Sequence, residues 1–371
     1  MKNTIGNHIT VTLFGESHGM GIGAVIDGMA PGVTIDEKYI EKQMELRKPH
    51  GRISTQRKEA DEVKIVSGVF EGKTTGTPIC LLIENQQQHS KDYSKTKDLA
   101  RPGHADYTAN EKYHGYQDYR GGGHFSGRIT AALVAAGAIA KKALEEKGIY
   151  IGTHIAKCGT ILDREVNDCK SDIQKLNEML FPVLDEEAAK EMMTYMEGAA
   201  EEGDSVGGIL QTLVVGMPVG VGEPWFDTVE SMLSHALFSV PAVKGVEFGS
   251  GFGFAEMKGS EANDSFYMEE NKIKTKTNHN GGINGGITNG MPIVFQCVVK
   301  PTPSIYKEQD TVNMQERENA KLQIQGRHDP AIIHRARVVV DSMTALVLAD
   351  ILTGRYGTDY LGMRGKNDCN N

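Results

Sequence analysis

With 371 residues the chain is long enough for two average domains or one large one, and 39% hydrophobic content is ordinary for a protein with a packed core. A net charge of −9 argues against a general nucleic-acid binder, whose electrostatic footprint is basic. Five widely spaced cysteines, Cys80, Cys158, Cys169, Cys297 and Cys369, support neither a disulfide framework nor a zinc knuckle, and the longest apolar run stops at Lys141-Lys142, short of a membrane span. No basic-then-apolar leader opens the chain. The expectation is a cytoplasmic protein with reduced thiols, no membrane and no nucleic-acid partner.

Ile9, Val11 and Leu13 alternate with threonines, and Ile22, Ala24 and Ile26 continue the same period after Gly15-Glu-Ser17-His18-Gly19. Two strands joined by a chemically loaded turn are expected. Thr34 with Glu37 makes a capping box for a helix ending near Arg47, because Pro49 disfavours helix at Lys48. Val63 to Phe70 and Ile79 to Ile83 read as strands. From Ser126, an N-cap candidate, a helix apolar on nearly every face runs to Lys147, with a lysine-rich last turn closed by Gly148. Ile149 to Ile155 is a strand, and Ser171 to Glu202 holds two outer acidic helices broken at Pro182. The strand Ile209 to Val215, a helix from Asp227 to Ser239, the strand Ile293 to Val299, and an apolar helix that Gly354 ends complete the pattern. Gly72 to Ile83 resembles Gly286 to Val298, which points to an internal duplication.

Chemistry concentrates between Arg101 and Arg128, which reads Arg-Pro-Gly-His104-Ala-Asp106 and, further on, Tyr-Arg120-Gly-Gly-Gly123-His124-Phe125-Ser126-Gly-Arg128. A glycine-rich basic loop feeding a buried helix presents free N–H groups and the positive end of the helix dipole to an anion. Nine of the thirteen arginines (47, 52, 57, 101, 120, 128, 327, 335, 337) fall in three blocks, which implies one local positive pocket in an acidic chain. That suits a small anionic ligand. His18 and His104 each sit beside a hydroxyl or carboxylate and are candidate proton carriers. Asp329, between Arg327 and a second basic cluster, either caps the turn before Pro330 or serves the site as an ionised carboxylate. The Gly-x-Ser17-x-Gly pattern with Asp329 and His334 copies the order of a hydrolase triad, but too few strands precede it. A metal site from His104, His114 and His124 lacks ligand spacing. No metal is expected.

With these blocks in order, the chain resembles the chorismate synthase family along nearly its whole length. The carrying motifs are Phe14-Gly-Glu-Ser-His18-Gly, Arg101-Pro-Gly-His104-Ala-Asp, Tyr119-Arg-Gly-Gly-Gly, Gly203-Asp-Ser-Val-Gly-Gly, Ala242-Val-Lys-Gly-Val-Glu, Thr277-Asn-His-Asn-Gly-Gly-Ile, Lys300-Pro-Thr and Gly326-Arg-His-Asp329-Pro. The resemblance implies an α+β fold, a β-α-β sandwich with buried helices between antiparallel sheets and a pseudo-two-fold repeat, in one domain over 1–371 with a polar tail at 363–371. It implies a lyase that converts 5-enolpyruvylshikimate 3-phosphate to chorismate and phosphate by 1,4-elimination with reduced FMN, as a homotetramer. His18 would be the general acid for the departing phosphate, His104 would protonate reduced flavin, and Asp329 would relay a proton at its N5. Ser17, Arg47, Arg52 and Arg128 would bind substrate. FMN would meet His124, Phe125, Ser126, Pro241, Ala242, Gly285, Lys300, Pro301, Thr302, Pro303, Ser304 and Arg327. Whether the flavin is reduced in place by NADPH or elsewhere is left open. Many members read Arg-Ser-Ser-Ala-Arg-Glu after the glycine triplet, where this chain has His124-Phe-Ser-Gly-Arg128-Ile. The rival class is a flavin- or phosphosugar-binding protein without chemistry.

Overall fold

The first half of the chain builds one five-stranded sheet. A computed structural model describes residues 2–51, 53–54, 61–85, 97–324 and 328–362. In it β1 (Thr4–Ile5), β2 (Thr10–Gly15) and β3 (Gly21–Asp27) precede α1 (Glu37–Arg47) and β4 (Lys64–Ser67). The small hairpin β5 (Val69–Phe70) and β6 (Lys73–Thr74) leads into β7 (Ile79–Glu84), and after α2 (Asp106–Tyr113) the chain enters α3 (Thr130–Glu146). The sheet order is β1-β2-β3-β7-β4, all antiparallel. Ile22, Ala24 and Ile26 of β3 pair with Ile83, Leu81 and Ile79 of β7, and all six are fully buried. This is the period-two face read from the sequence.

The second half repeats the plan. It begins with β8 (Tyr150–Cys158), β9 (Ile161–Leu162), α4 (Cys169–Leu176), α5 (Glu186–Glu201) and β10 (Gly208–Val215). Next come α6 (Val229–Leu237), β11 (Val243–Phe248), the short α7 (Gly259–Ala262) and the hairpin β12 (Phe266–Glu269) with β13 (Lys272–Thr275). A second small hairpin, β14 (Ile283–Asn284) and β15 (Ile287–Thr288), feeds β16 (Ile293–Val299), then β17 (Gln309–Asn313), β18 (Glu318–Leu322) and α8 (Ile333–Tyr356). The sheet order is β11-β16-β10-β8-β9. Strands β2-β3-β7-β4 with α1 and α3 thus correspond to β8-β10-β16-β11 with α6 and α8. The resemblance of Gly72 to Ile83 with Gly286 to Val298 is the repetition of a small hairpin feeding a central strand.

The long helices α3 and α8 lie against one another between the sheets, α3 on β3 and β7, α8 on β8 and β10. Every residue from Ala131 to Lys141 and from Val338 to Asp350 is buried. Each valine, leucine or isoleucine fully buried there contributes about 1.5–3 kcal/mol, so this seam carries much of the core. Alanines and Gly137 let the backbones approach.

Three local expectations are corrected. Asp36, not Thr34, caps α1 by accepting from Tyr39 N at 3.0 Å, while the Thr34 hydroxyl is engaged by Lys73 Nζ at 3.2 Å. Gly354 does not end α8; the helix continues to Tyr356 and stops at Gly357 (φ +97°), and Gly354 instead makes room for His8, whose ring a Cβ would meet at 2.8 Å. Lys141 is buried rather than part of a solvated last turn. Its Nζ donates to Asp341 and Asn177, both at 3.0 Å, and Thr153 donates to the other Asp341 oxygen at 2.6 Å, so the charge stays paired in the core.

Candidate active site

The β2–β3 turn and the glycine loop ahead of α3 are locked together. Gly121, Gly122 and Gly123 have φ of +57°, +85° and +53°, a run that residues with side chains seldom adopt. This conformation brings Gly123 O to Ser17 N at 3.1 Å and packs Gly121 against His18. His18 Nδ1 is 3.2 Å from Ser17 Oγ. His124 donates from Nδ1 to Gly15 O at 2.8 Å, and Phe125 packs edge-on against Tyr113 at 6.0 Å. His124 and Phe125, the first two of the positions at which this chain leaves the common motif, therefore tie the loop to β2 and α2. Ser126 accepts from Arg128 N at 3.2 Å and caps the turn that runs into α3.

Arg128 leads from that turn into the basic region. Its Nε donates to Asn85 Oδ1 at 3.1 Å, and Asn85 Nδ2 in turn donates to Glu16 O and Gly19 O, both at 3.0 Å, on either side of His18. Arg47 donates to Thr130 Oγ1 at 3.0 Å and to Gly127 O at 3.1 Å. Both guanidiniums share the buried carboxylate of Asp61.

His104 is held across the molecular pseudo-symmetry. It lies in the linker from β7 to α3, and its Nε2 is hydrogen-bonded at 2.8 Å to Ser304, in the equivalent linker from β16 to α8. Lys300 Nζ donates to Gly103 O at 2.8 Å, Met314 N to Asp98 O at 2.8 Å and Ala100 N to Val312 O at 3.2 Å, so the linkers run together. Burial, then the Arg101 and Lys300 cations, with Asp106 opposing, push the His104 ring down to about 4. Asp329 is a held carboxylate: Arg335 donates to it at 2.5 Å and, from Nε, to Arg47 O at 2.8 Å. Ser304, Tyr306, His328 and Asp329 line a small cavity of about 30 Å³. Arg335 joins this cluster to Arg47, and Gly122, 3.9 Å from Arg101 Nη2 at its Cβ position, joins it to the glycine loop.

The arginine blocks do not make an unopposed positive pocket. Arg101 pairs with Asp106, Arg120 with Asp118, Arg335 with Asp329, and Arg47 and Arg128 with Asp61. Asp61 and Asn85 were missed by the sequence reading, since nothing local marks them; their importance comes from partners distant in the chain.

The residues assigned to FMN show features that fit a ligand. Thr302 Oγ1 is buried with no hydrogen-bond partner, while the Thr302 carbonyl accepts from Ser205 Oγ at 2.6 Å. Ala242, after Pro241, is held at φ +74° with its carbonyl accepting from Lys300 N at 2.9 Å, and such strain in a non-glycine residue clusters at ligand sites. Pro303 packs on Gly103, and Lys300 and Pro301 close on Gly207, where a Cβ would meet their backbone at 2.9 Å. Gly285 (φ +62°) has open space at its Cβ position but sits apart, at the β14–β15 turn beside the start of α6. Arg52 and Arg327 lie outside the described residues. The hydrolase grouping does not form, because buried His334 bonds Ser54 Oγ at 2.8 Å and Asp329 bonds Arg335. His104 and His124 have separate partners, and among the described residues no three His, Cys, Asp or Glu side chains group around a common point.

His334 is pushed down to about 3, first by burial. His104 and His334 are thus neutral in the folded chain and protonate below pH 6.5 when unfolded. Above pH 6.5 they add no pH dependence; below it the unfolded state binds more protons and stability falls, levelling off below about pH 3. Urea midpoints of ligand-free protein at pH 7 and 5 should show the drop, and equal midpoints would contradict the buried neutral rings.

Two histidines, a held carboxylate and basic side chains, linked by hydrogen bonds between two like halves of the chain, are the groups of an enzyme that does acid–base chemistry on an anionic ligand. The chorismate synthase family model matches residues 9–353. The chorismate synthase of Thermococcus kodakarensis is 45% identical over 350 residues, 94% of this chain and 97% of that protein. That of Methanobrevibacter smithii is 49% identical over 351 residues, 94% of this chain and 96% of that protein. A crystal structure of a chorismate synthase superposes with a TM-score of 0.75 at 31% identity, covering 96% of this chain and 94% of that one. The chain belongs to the chorismate synthase family, and it is a lyase of chorismate formation.

Proposed function

We propose that the chain converts 5-enolpyruvylshikimate 3-phosphate to chorismate and phosphate by 1,4-elimination with reduced FMN, in the cytoplasm, as one domain over residues 1–371 that assembles into a homotetramer. The observation that carries the site reading is the convergence of His18, Arg128 and Arg47 through Asn85 and the glycine loop, with His104 and Asp329 reached through Arg101 and Arg335. No helix of the described residues is long and apolar enough to cross a membrane. Trp225, Phe226 and Phe252 are more than four-fifths exposed, which supports self-association.

Reduced FMN, when bound, supplies an electron to the allylic system and recovers it, so the reaction has no net redox change. Orphaned Thr302 Oγ1 and strained Ala242 support its placement along Pro241–Ala242 and Lys300–Ser304, with His124–Ser126, Gly285 and Arg327 completing the set that the resemblance implies. Arg47, Arg52 and Arg128 grip the substrate's phosphate and carboxylates, as planar guanidiniums do best. Ser17 orients His18, which protonates the departing phosphate oxygen; negative charge grows there as the C–O bond breaks, so these groups favour the transition state. His104 is oriented by the hydrogen bond between its Nε2 and Ser304 Oγ. Burial first, then Arg101 and Lys300, disfavour its charged form, and an anionic cofactor and substrate would offset the two cations. Asp329 would relay a proton to or from the flavin once it is bound.

His104→Ala should bind reduced FMN and lose most turnover under anaerobic conditions. Full turnover in that variant would remove His104 from the mechanism, and loss of FMN binding would make it a cofactor-anchoring residue instead.

A further inference from the structure

Between the two arginines assigned to the substrate lies a carboxylate with no place in that chemistry. Asp61 accepts from Arg47 Nη1 at 3.2 Å through one oxygen and from Arg128 Nη1 through the other. Its side chain is 1% exposed. Its φ is +46°, in the left-handed region that side chains other than those of Asn and Asp seldom tolerate.

Neither guanidinium depends on Asp61 for its position. Arg47 is also fixed by Thr130 Oγ1 at 3.0 Å, Gly127 O at 3.1 Å and Arg128 O at 3.4 Å, all in the turn that opens α3. Arg128 is also fixed through Nε by Asn85 Oδ1 at 3.1 Å. Asp61 instead takes one Nη of each arginine, the donors that an anion bound between them would use. Its charge offsets one of the two cations while no ligand is present.

We propose that Asp61 is an internal counter-anion that competes with the phosphate for Arg47 and Arg128, and that its return to them expels the phosphate released by the elimination. The proposal rests on the reading that these arginines hold the substrate's anionic groups. The reaction creates free phosphate inside a basic site, and a product held tightly there limits turnover. An anion supplied by the fold lowers the apparent affinity for phosphate by the fraction of protein in which the arginines are already occupied.

Inorganic phosphate is the probe, used with the full chain. In Asp61→Asn, which keeps the shape and removes the charge, the phosphate dissociation constant should fall about tenfold, the factor that one lost competing ion pair of ordinary strength would give. Inhibition of turnover by added phosphate should strengthen in parallel. Arg128→Gln separates the two levels: it should weaken phosphate binding. If Arg128→Gln weakens binding but Asp61→Asn leaves it unchanged or weaker, the counter-anion role is overturned while the arginine reading stands. If Arg128→Gln leaves phosphate binding unchanged, the arginine reading fails and the proposal with it. Should both Asp61→Asn and Asp61→Ser fail to fold by circular dichroism, Asp61 is a structural partner that the arginines require, and the proposal is overturned.

Discussion

His18→Ala should reduce chorismate formation by about 10²–10⁴-fold, the range for losing a positioned general acid, with the fold intact. The ring is only partly buried and its nearby constraint is the glycine loop, so its removal leaves no large cavity. Gly121→Ala should reproduce much of this loss without touching the histidine. A Cβ at Gly121 would lie 2.3 Å from His18 Cε1 and 2.5 Å from Nδ1, and φ there is +57°, so the ring or the loop must move. Turnover measured in both variants with thermal midpoints alongside decides the point. If His18→Ala keeps more than about a tenth of wild-type turnover, proton transfer by His18 is not contributing at the scale of general acid catalysis.

Gly137→Ala should destabilise the whole chain while leaving the site residues untouched. Gly137 is in the middle of α3, where alanine would otherwise be favoured by up to about 1 kcal/mol. Here the added Cβ would lie 2.2 Å from Ser342 Cβ, 2.6 Å from its Cα and 2.8 Å from its carbonyl oxygen, on α8. Two of those atoms are backbone, so no rotamer change relieves the clash and the helices must separate. Overpacking of this kind costs about 1–3 kcal/mol, more than the propensity gain. A denaturant midpoint at or above wild type in Gly137→Ala would show that the helices do not meet at this contact.

Much of the fold was legible because the first sheet buries one face against α3, while the second, between α8 and α4, is apolar on both. Period two in β2 and β3, the unbroken apolar run of α3 and the recurrence of Gly72–Ile83 at Gly286–Val298 all follow from burying helices between two like sheets. What escaped were choices between near-equal local options and contacts across the chain. Thr34 and Asp36 are both good caps, and only the bridge to Lys73 takes Thr34 out of contention. Gly354 read as a stop because its packing partner, His8, is at the other end of the chain. The arginine blocks read as an open positive pocket although Asp106, Asp118 and Asp329 stand close to their arginines in the chain; only Asp61, shared by Arg47 and Arg128, comes from another segment. His104 was legible as a site residue, but its neutral state depends on burial, Arg101, Lys300 and a linker 200 residues away. Arg52 and Arg327 lie outside the described residues, so their part stays with the family resemblance.

The central claim, an elimination that uses reduced flavin without consuming it, is tested most directly by one anaerobic assay of the wild-type chain with 5-enolpyruvylshikimate 3-phosphate and reduced FMN. Phosphate, chorismate and the flavin spectrum are followed together. Phosphate and chorismate should appear in equal amounts, with the flavin reduced at the end and no product when only oxidised FMN is supplied. Phosphate release without chorismate, or product formation without any flavin, would contradict it.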